Sequence, residues 1–288
     1  MFMGIYSFRE LGMIASRKKN LFIFFIIFSF LSGIQSFGQF TDSEIAQRPF
    51  IEKLLTEANI IESKEIGEGV TKPYRLFLET EEFELSGCWK NPKGVKEGFL
   101  EGWQYEIAAY RMDKLLGLNM VPPTVERVFK GKRGSLQFWV TSEMSDLDRM
   151  EKGMGIPVSV VDHWNKRKYL TRAFDSLIAN EDRTQQNIRY TSDWRTILID
   201  HSRSFRSKKK FTRQLMFGTK GIKGDQPIRQ LPRNFVNRIK ALTYEQIREA
   251  VGDYLTDKEI KAVLERKILL LQEIEMMIKK EEEDKVLY

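Results

Sequence analysis

The amino-acid sequence predicts an α+β fold in two lobes, a small β-rich N-lobe with one helix followed by a mainly helical C-lobe. Strand-like alternation over residues 60–90, helical spacing over Glu97–Gly117 and two helix-start signatures near the C-terminus predict it. No internal repeat or low-complexity linker interrupts the chain, and its 288 residues, 42% apolar, suffice for two lobes with a real core.

The elements follow in order. "IGEGVTKP" (Ile66–Pro73) is a glycine-containing turn between two strands, with Gly67 and Gly69 as its flexible positions. In "FELSGCWK", Phe83, Leu85, Gly87 and Trp89 fall on one strand face, while Glu84, Ser86, Cys88 and Lys90 fall on the other. Lys90 therefore points away from the aromatic face. "EGFLEGWQYEIAAYRMDKLLG" is helical with Gly117 as its stop, and Trp103 and Tyr110 lie on the same stripe as Glu106. "PTVERVFKGKRGSLQFWV" (Pro123–Val140) reads as a hairpin, followed by a connector over Thr141–Asp148. Leu170, Ala173, Phe174, Leu177 and Ile178 keep one apolar helical face and deliver the chain into Asn180-Glu181-Asp182. Thr243 with Gln246, and Thr256 with Glu259, are capping-box pairs that open two C-terminal helices.

Charge and composition exclude several classes of function. Arg9, Arg17, Lys18 and Lys19 against Glu10 supply +3 of the formal +7, and the remaining +4 is too mild to argue for nucleic acid. The lone Cys88 forbids an intrachain disulfide or a cysteine zinc cage, and with His163 and His201 as the only histidines, any metal is held by oxygen. Arg17-Lys18-Lys19 precede "LFIFFIIFSFLSGI" (Leu21–Ile34), a largely apolar run of 14 residues, shorter than the about 20 a spanning helix needs. With Ser36-Phe37-Gly38 after it, residues 1–38 read as a secretory signal or an N-terminal anchor, with Met13 an alternative start, and the expected location is exported: periplasmic, secreted or membrane-anchored. Residues 39–58 are then an extension, 59–143 the N-lobe and 144–288 the C-lobe.

The stretch "IANEDRTQQNIRYTSDWRTILIDHSRSF" (Ile178–Phe205) places Asp182, Asn187 and Asp200 in one polar segment framed by apolar residues. Joined to a glycine turn, a strand lysine and a helical glutamate, these are the groups that phosphoryl transfer from ATP requires, since such an enzyme neutralises and positions a triphosphate more than it forms covalent bonds. A lysine draws phosphate, a glutamate orients it, a carboxylate sits by the acceptor hydroxyl, and an amide and a second carboxylate hold Mg²⁺.

On "GCWK", "YEIAAYRMDKLLGLNMVPPTV", "LIANEDRTQQNI" and "ILIDHSRSF", the chain resembles the protein-kinase-like superfamily over about residues 60–275. The resemblance is to its atypical branches, the phosphatidylinositol 3- and 4-kinases, the HipA-like bacterial kinases and the secretory-pathway kinases of the Golgi. It implies Lys90 as the phosphate lysine, Glu106 as its ion-pair partner, Asp182 as the catalytic aspartate, and Asn187 and Asp200 as ligands of Mg²⁺, with Mn²⁺ the alternative ion. Cys88 would line the nucleotide pocket beside Lys90, and Gly67 and Gly69 would mark the phosphate loop. The pattern departs from the family at Asp200-His201-Ser202, which stands in place of Asp-Phe-Gly, and at Arg183, which follows the aspartate that ordinary protein kinases precede with an arginine.

The implied activity is ATP-dependent transfer of a γ-phosphoryl group to a hydroxyl of a protein, lipid or small molecule. Two alternatives stand beside it, a pseudokinase scaffold and an enzyme transferring AMP from the same site. Simpler readings pair Glu106 with Arg111 or Arg172, make Arg183 an ion-pair residue and make His201 a packed one. The basic run Arg203–Arg213 reads as a solvated loop or, through Arg206, Lys208, Lys209 and Lys210, as a contact for an anionic partner.

Overall fold

The structure is a computed structural model, and it describes residues 14–15, 40–67, 72–96 and 98–288. The expected signal segment, apart from Ile14–Ala15, lies outside the described residues, as does Gly69. Among the described residues, no helix is long and apolar enough to cross a membrane.

After a two-residue strand, β1 (Ile14–Ala15), residues 42–57 form α1 (Asp42–Ala46) and α2 (Arg48–Glu57). A sheet follows, built from β2 (Asn59–Glu65), β3 (Tyr74–Glu79), β4 (Phe83–Lys90), β7 (Thr124–Phe129) and β8 (Lys132–Phe138) in the order β2-β3-β4-β8-β7, with β1 paired to β4. Between β4 and β7 run the hairpin β5 (Lys93–Lys96) and β6 (Phe99–Gly102) and the helix α3 (Trp103–Leu116). The segment expected as an extension thus contributes α2, whose Ile51, Leu54 and Leu55 pack with Leu76, Leu78, Leu85, Trp89 and Leu136. Fully burying each such aliphatic side chain contributes about 1.5–3 kcal/mol, so α2 is part of the sheet's core.

The β7–β8 hairpin turns at Lys130 and Gly131, both at positive φ (50° and 70°), the pattern of a two-residue turn whose twist suits the strands. Opposite β4, Gly134 has no room for a side chain, since a Cβ there would come within 2.5 Å of the Lys90 carbonyl and 2.7 Å of the Trp89 ring. The close approach keeps β8 against the end of β4 that carries Lys90, with Lys90 in register with Ser135.

Helix α3 begins at Trp103 because Phe99–Gly102 is taken up by β6, so the helical period read from Glu97 holds only in its later part. It ends at Gly117, which adopts φ 66°. Tyr105, Ala108, Ala109, Met112 and Leu116 join the larger core, formed with helices α5 (Val161–Ile178), α7 (Arg233–Ala241), α8 (Tyr244–Val251) and α9 (Asp257–Glu281). The expected connector after β8 contains β9 (Met144–Ser145) and the start of α4 (Asp146–Glu151). Leu170, Ala173, Phe174, Leu177 and Ile178 are all buried, and both expected capping boxes form at Thr243 and Thr256. A hairpin of β10 (Ile188–Tyr190) and β11 (Thr196–Leu198), α6 (Lys209–Arg213), the hairpin β12 (Gly218–Gly221) and β13 (Gly224–Gln226), and α10 (Glu283–Val286) complete the fold.

Candidate active site

Three elements converge on Lys90. Strand β4 turns Leu85 and Trp89 into the sheet core, which leaves Lys90 on the opposite face, toward α3. Its ammonium lies 3.2 Å from Glu106 Oε1 on α3 and 3.0 Å from Asp200 Oδ1 beyond β11. Glu106 is 2% exposed and accepts a second hydrogen bond, 2.9 Å, from the backbone N–H of His201. Neither Arg111 nor Arg172 is its partner, since Arg111 donates to the carbonyls of Ala250 and Val251, and Arg172 to that of Pro227.

The β10–β11 hairpin brings Asn187 and Asp200 together although 12 residues separate them. Ile188 pairs with Leu198, and the Ile199 N–H donates to the Asn187 carbonyl at 3.1 Å, so the residue before one strand meets the residues after the other. Asp200 occupies the left-handed region (φ 58°). That turn carries its carboxylate to Lys90 while Ser202 Oγ donates to it at 3.1 Å.

Asp182 sits on the loop between α5 and β10. Its carbonyl accepts from the Asn187 amide at 2.8 Å, and its N–H donates to Asn180 Oδ1 at 3.0 Å. Its carboxylate lies 3.5 Å from Arg203, which also bonds the buried Glu101 of β6 at 2.6 Å. Arg183 donates to Asp175 on α5 at 2.9 and 3.0 Å and to the carbonyls of Asn187 and Ile199, and it lies 2.8 Å from His201 Nε2. Arg183 and His201 are thus buried packing residues that fasten the loop to the strand after β11.

Electrostatics follow from one cation between two carboxylates. Burial alone would raise the Asp200 pKa, but Lys90 carries it down to about 2. Burial holds Glu106 above the usual carboxylate range, with Lys90 opposing it. The Lys90 ammonium, which burial disfavours, is stabilised by Asp200 and Glu106 and stays charged. Asp182 is raised by burial, with Arg203 pulling the other way. Burial pushes the Cys88 thiol up to about 11 despite Lys90, so it is neutral at ordinary pH.

The groups present fit a divalent cation and phosphate. Lys90 uses two of its three N–H donors on carboxylates, leaving one. Asn187 spends its N–H on Asp182, which leaves its amide oxygen as an acceptor. Among the described residues, no three His, Cys, Asp or Glu side chains gather as a metal cage. An oxygen pair completed by phosphate and water is how Mg²⁺ is commonly held.

Gly67 follows β2 in the β2–β3 turn, where a Cβ would meet nothing within 4 Å. One expectation needs correction. Arg206 is 5% exposed, pairs with Glu181 and donates to the Leu100 carbonyl, so it is not a surface cation, whereas Lys208, Lys209 and Lys210 are exposed. The cause is that Leu100 of the β5–β6 hairpin and Glu181 of the loop after α5 both meet it there. Sequence reasoning also missed Glu101, Arg203 and Asp175. Asp175 lies off the apolar face of α5, on the side of Thr171 and Arg172, so its spacing alone does not separate it from a solvated carboxylate.

The fold and this arrangement define the class: the chain has the atypical protein-kinase-like fold. No family model and no curated protein matches the chain. Among solved structures, a hydra Fam20 with sugar superposes with a TM-score of 0.62 at 16% identity, over 88% of this chain and 95% of that one. The Golgi casein kinase gives 0.59 at 13% identity, over 88% and 80%, and it was also solved with Mn/ADP bound, at the same TM-score.

Proposed function

We propose that the protein is an ATP-dependent phosphotransferase that moves a γ-phosphoryl group to a hydroxyl of a protein, lipid or small molecule. The observation that carries the reading is the buried junction of Lys90 with both Glu106 and Asp200, beside a loop that holds Asp182 and Asn187. Glu106 orients Lys90, whose free donor draws phosphate oxygens. Asn187 Oδ1 and the Asp200 carboxylate would hold Mg²⁺ or Mn²⁺, which when bound neutralises charge on the phosphates. Asp182 receives the proton of the acceptor hydroxyl. Burial raises its pKa, which makes it a better base than an ordinary aspartate, while Arg203 opposes the rise. The fold's likeness to a kinase solved with Mn/ADP supports nucleotide binding here.

Incubating the purified protein with ATP labelled at the γ or the α position tests the reading. Transfer of γ-label to protein or added extract fractions is expected. Transfer of α-label would assign AMP transfer instead, and transfer of neither would leave a nucleotide-binding scaffold.

Cys88 gives a direct check on the nucleotide pocket, because it is the only cysteine and shares a strand face with Lys90. Its neutral thiol should alkylate slowly with iodoacetamide at pH 7, and ATP with Mg²⁺ should slow the reaction further by about tenfold. Unchanged alkylation at saturating nucleotide would place ATP elsewhere.

Export is part of the proposal and rests on Arg17–Lys19 followed by Leu21–Ile34. N-terminal sequencing of the protein from its native source, with a first residue just after Gly38, would support cleavage. The exposed Lys208–Lys210 run supports contact with an anionic partner.

A further inference from the structure

The loop that carries Asp182 also borders a cavity of about 240 Å³. One wall is a single face of α5, where Trp164, Lys168, Thr171, Arg172 and Asp175 recur at helical spacing. Thr184 and Gln185 of the loop line it too, together with Tyr190 and Phe217. None of Lys90, Glu106, Asp182, Asn187 or Asp200 lines it.

The charges in its walls do not cancel. Asp146 is paired with Arg149 at 2.8 Å, and Asp175 with Arg183 at 2.9 Å, so both carboxylates are neutralised. Lys168 and Arg172 have no carboxylate partner among the described residues. Lys168 donates only to the neutral Asn165 Oδ1, and Arg172 to the Pro227 carbonyl and Gln226 Oε1. Burial, then repulsion from Arg172 and Arg229, lowers the Lys168 pKa, and burial with repulsion from Arg229 lowers that of Arg172. Two cations held close without a counter-charge is an arrangement that an anion relieves. Thr171 lines the cavity beside them and is 4% exposed, so α5 presents a hydroxyl next to the two cations.

We propose that this cavity binds a small phosphate-bearing molecule through Lys168, Arg172 and Thr171. A lysine point charge beside a guanidinium fork suits a phosphate dianion better than a single carboxylate. The volume is below the about 300 Å³ at which drug-sized sites begin, which suits a ligand smaller than a nucleotide. Trp164 donates to the Tyr190 hydroxyl at 2.8 Å, and its ring lies 4.8 Å from the Lys168 ammonium, which holds that cation at the cavity wall. Because Thr184 and Gln185 lie between Asp182 and Asn187, an occupant would brace the loop against α5.

Inorganic phosphate titrated into the full chain in chloride buffer, followed by calorimetry, reads binding without reference to any transfer activity, so its outcome is separate from that of the labelled-ATP assay. Phosphate also suits the Lys90 cleft, and variants tell the two apart. The double variant K168M/R172Q should weaken one phosphate-binding event by about tenfold or more, while K279M/K280M, at exposed lysines near the end of α9, leaves it unchanged. Thr171→Val, which removes one hydroxyl at nearly constant shape, should weaken it about threefold. A wild-type chain that binds no phosphate up to about 20 mM overturns the proposal. So does wild-type binding by K168M/R172Q or, should that variant not fold, by Thr171→Val. A parallel titration with glucose 6-phosphate separates the sources: tighter binding assigns a phosphate ester, and weaker binding assigns the free ion.

Discussion

Asp182→Ala is expected to lower γ-phosphoryl transfer by about 10²–10⁴-fold, the range for loss of a positioned general base, while nucleotide affinity changes by less than about threefold. Affinity survives because the structure ties Asp182 to the loop through its backbone, which the substitution keeps. Its carbonyl still accepts from Asn187 and its N–H still donates to Asn180. Among the described residues its side chain pairs with Arg203, which remains anchored to Glu101. Asp200→Ala should behave differently, because its carboxylate is both the partner of Lys90 and half of the proposed cation site. Cation-dependent nucleotide binding should disappear with it, together with turnover. Equilibrium binding of a fluorescent ATP analogue with and without Mg²⁺, beside single-turnover rates, separates the two variants. Full turnover in both would remove the assignment of this loop as catalytic.

The pieces legible in the sequence are those set by local periodicity. Lys90 was placed by strand alternation once Leu85 and Trp89 were read as core, and the apolar face of α5 led directly to Asp182. Glu106 was placed by its aromatic neighbours, which the helix does bury in part. Contacts between distant segments left no such trace. Arg203 reaches Glu101 across 102 residues, and Arg206 reaches Leu100 across 106, because β5–β6 folds back as a hairpin just where the helical period was extended too early. Helix α2 leaves a weak trace in the sequence for a different reason. Its Pro49 and its polar residues give a short amphipathic segment whose role depends on the sheet it covers. The basic run after Asp200 reads as uniform in sequence, yet the structure divides it into Arg203 and Arg206, which meet carboxylates, and the exposed Lys208–Lys210.

Lys90→Met should be the most damaging single change, to stability as well as to activity. It removes the cation shared by Asp200 and Glu106, leaving two carboxylates facing each other with Glu106 3% exposed at its side chain. Breaking a buried pair from one side costs about 3–5 kcal/mol, and about 3 is expected here because the Asp200 side chain keeps 33% exposure and water screens it. The sign of the pH dependence follows from Asp200. In the wild-type chain its pKa is depressed to about 2, so its contribution to stability is present above the unfolded value of about 3.9 and is lost as pH falls through about 2. Without Lys90 the depression goes, and burial raises the Asp200 carboxyl as it already raises Glu106, so ionising either one at pH 7 costs stability. The deficit of Lys90→Met relative to wild type should therefore be largest at pH 7 and shrink steadily as pH is lowered toward 4, where the variant's carboxyls take up protons. Urea unfolding of both proteins at pH 7, 5.5 and 4 reads this directly. A deficit independent of pH would mean that the substitution acts through packing of the lysine stem, and that the three charges are not a coupled unit.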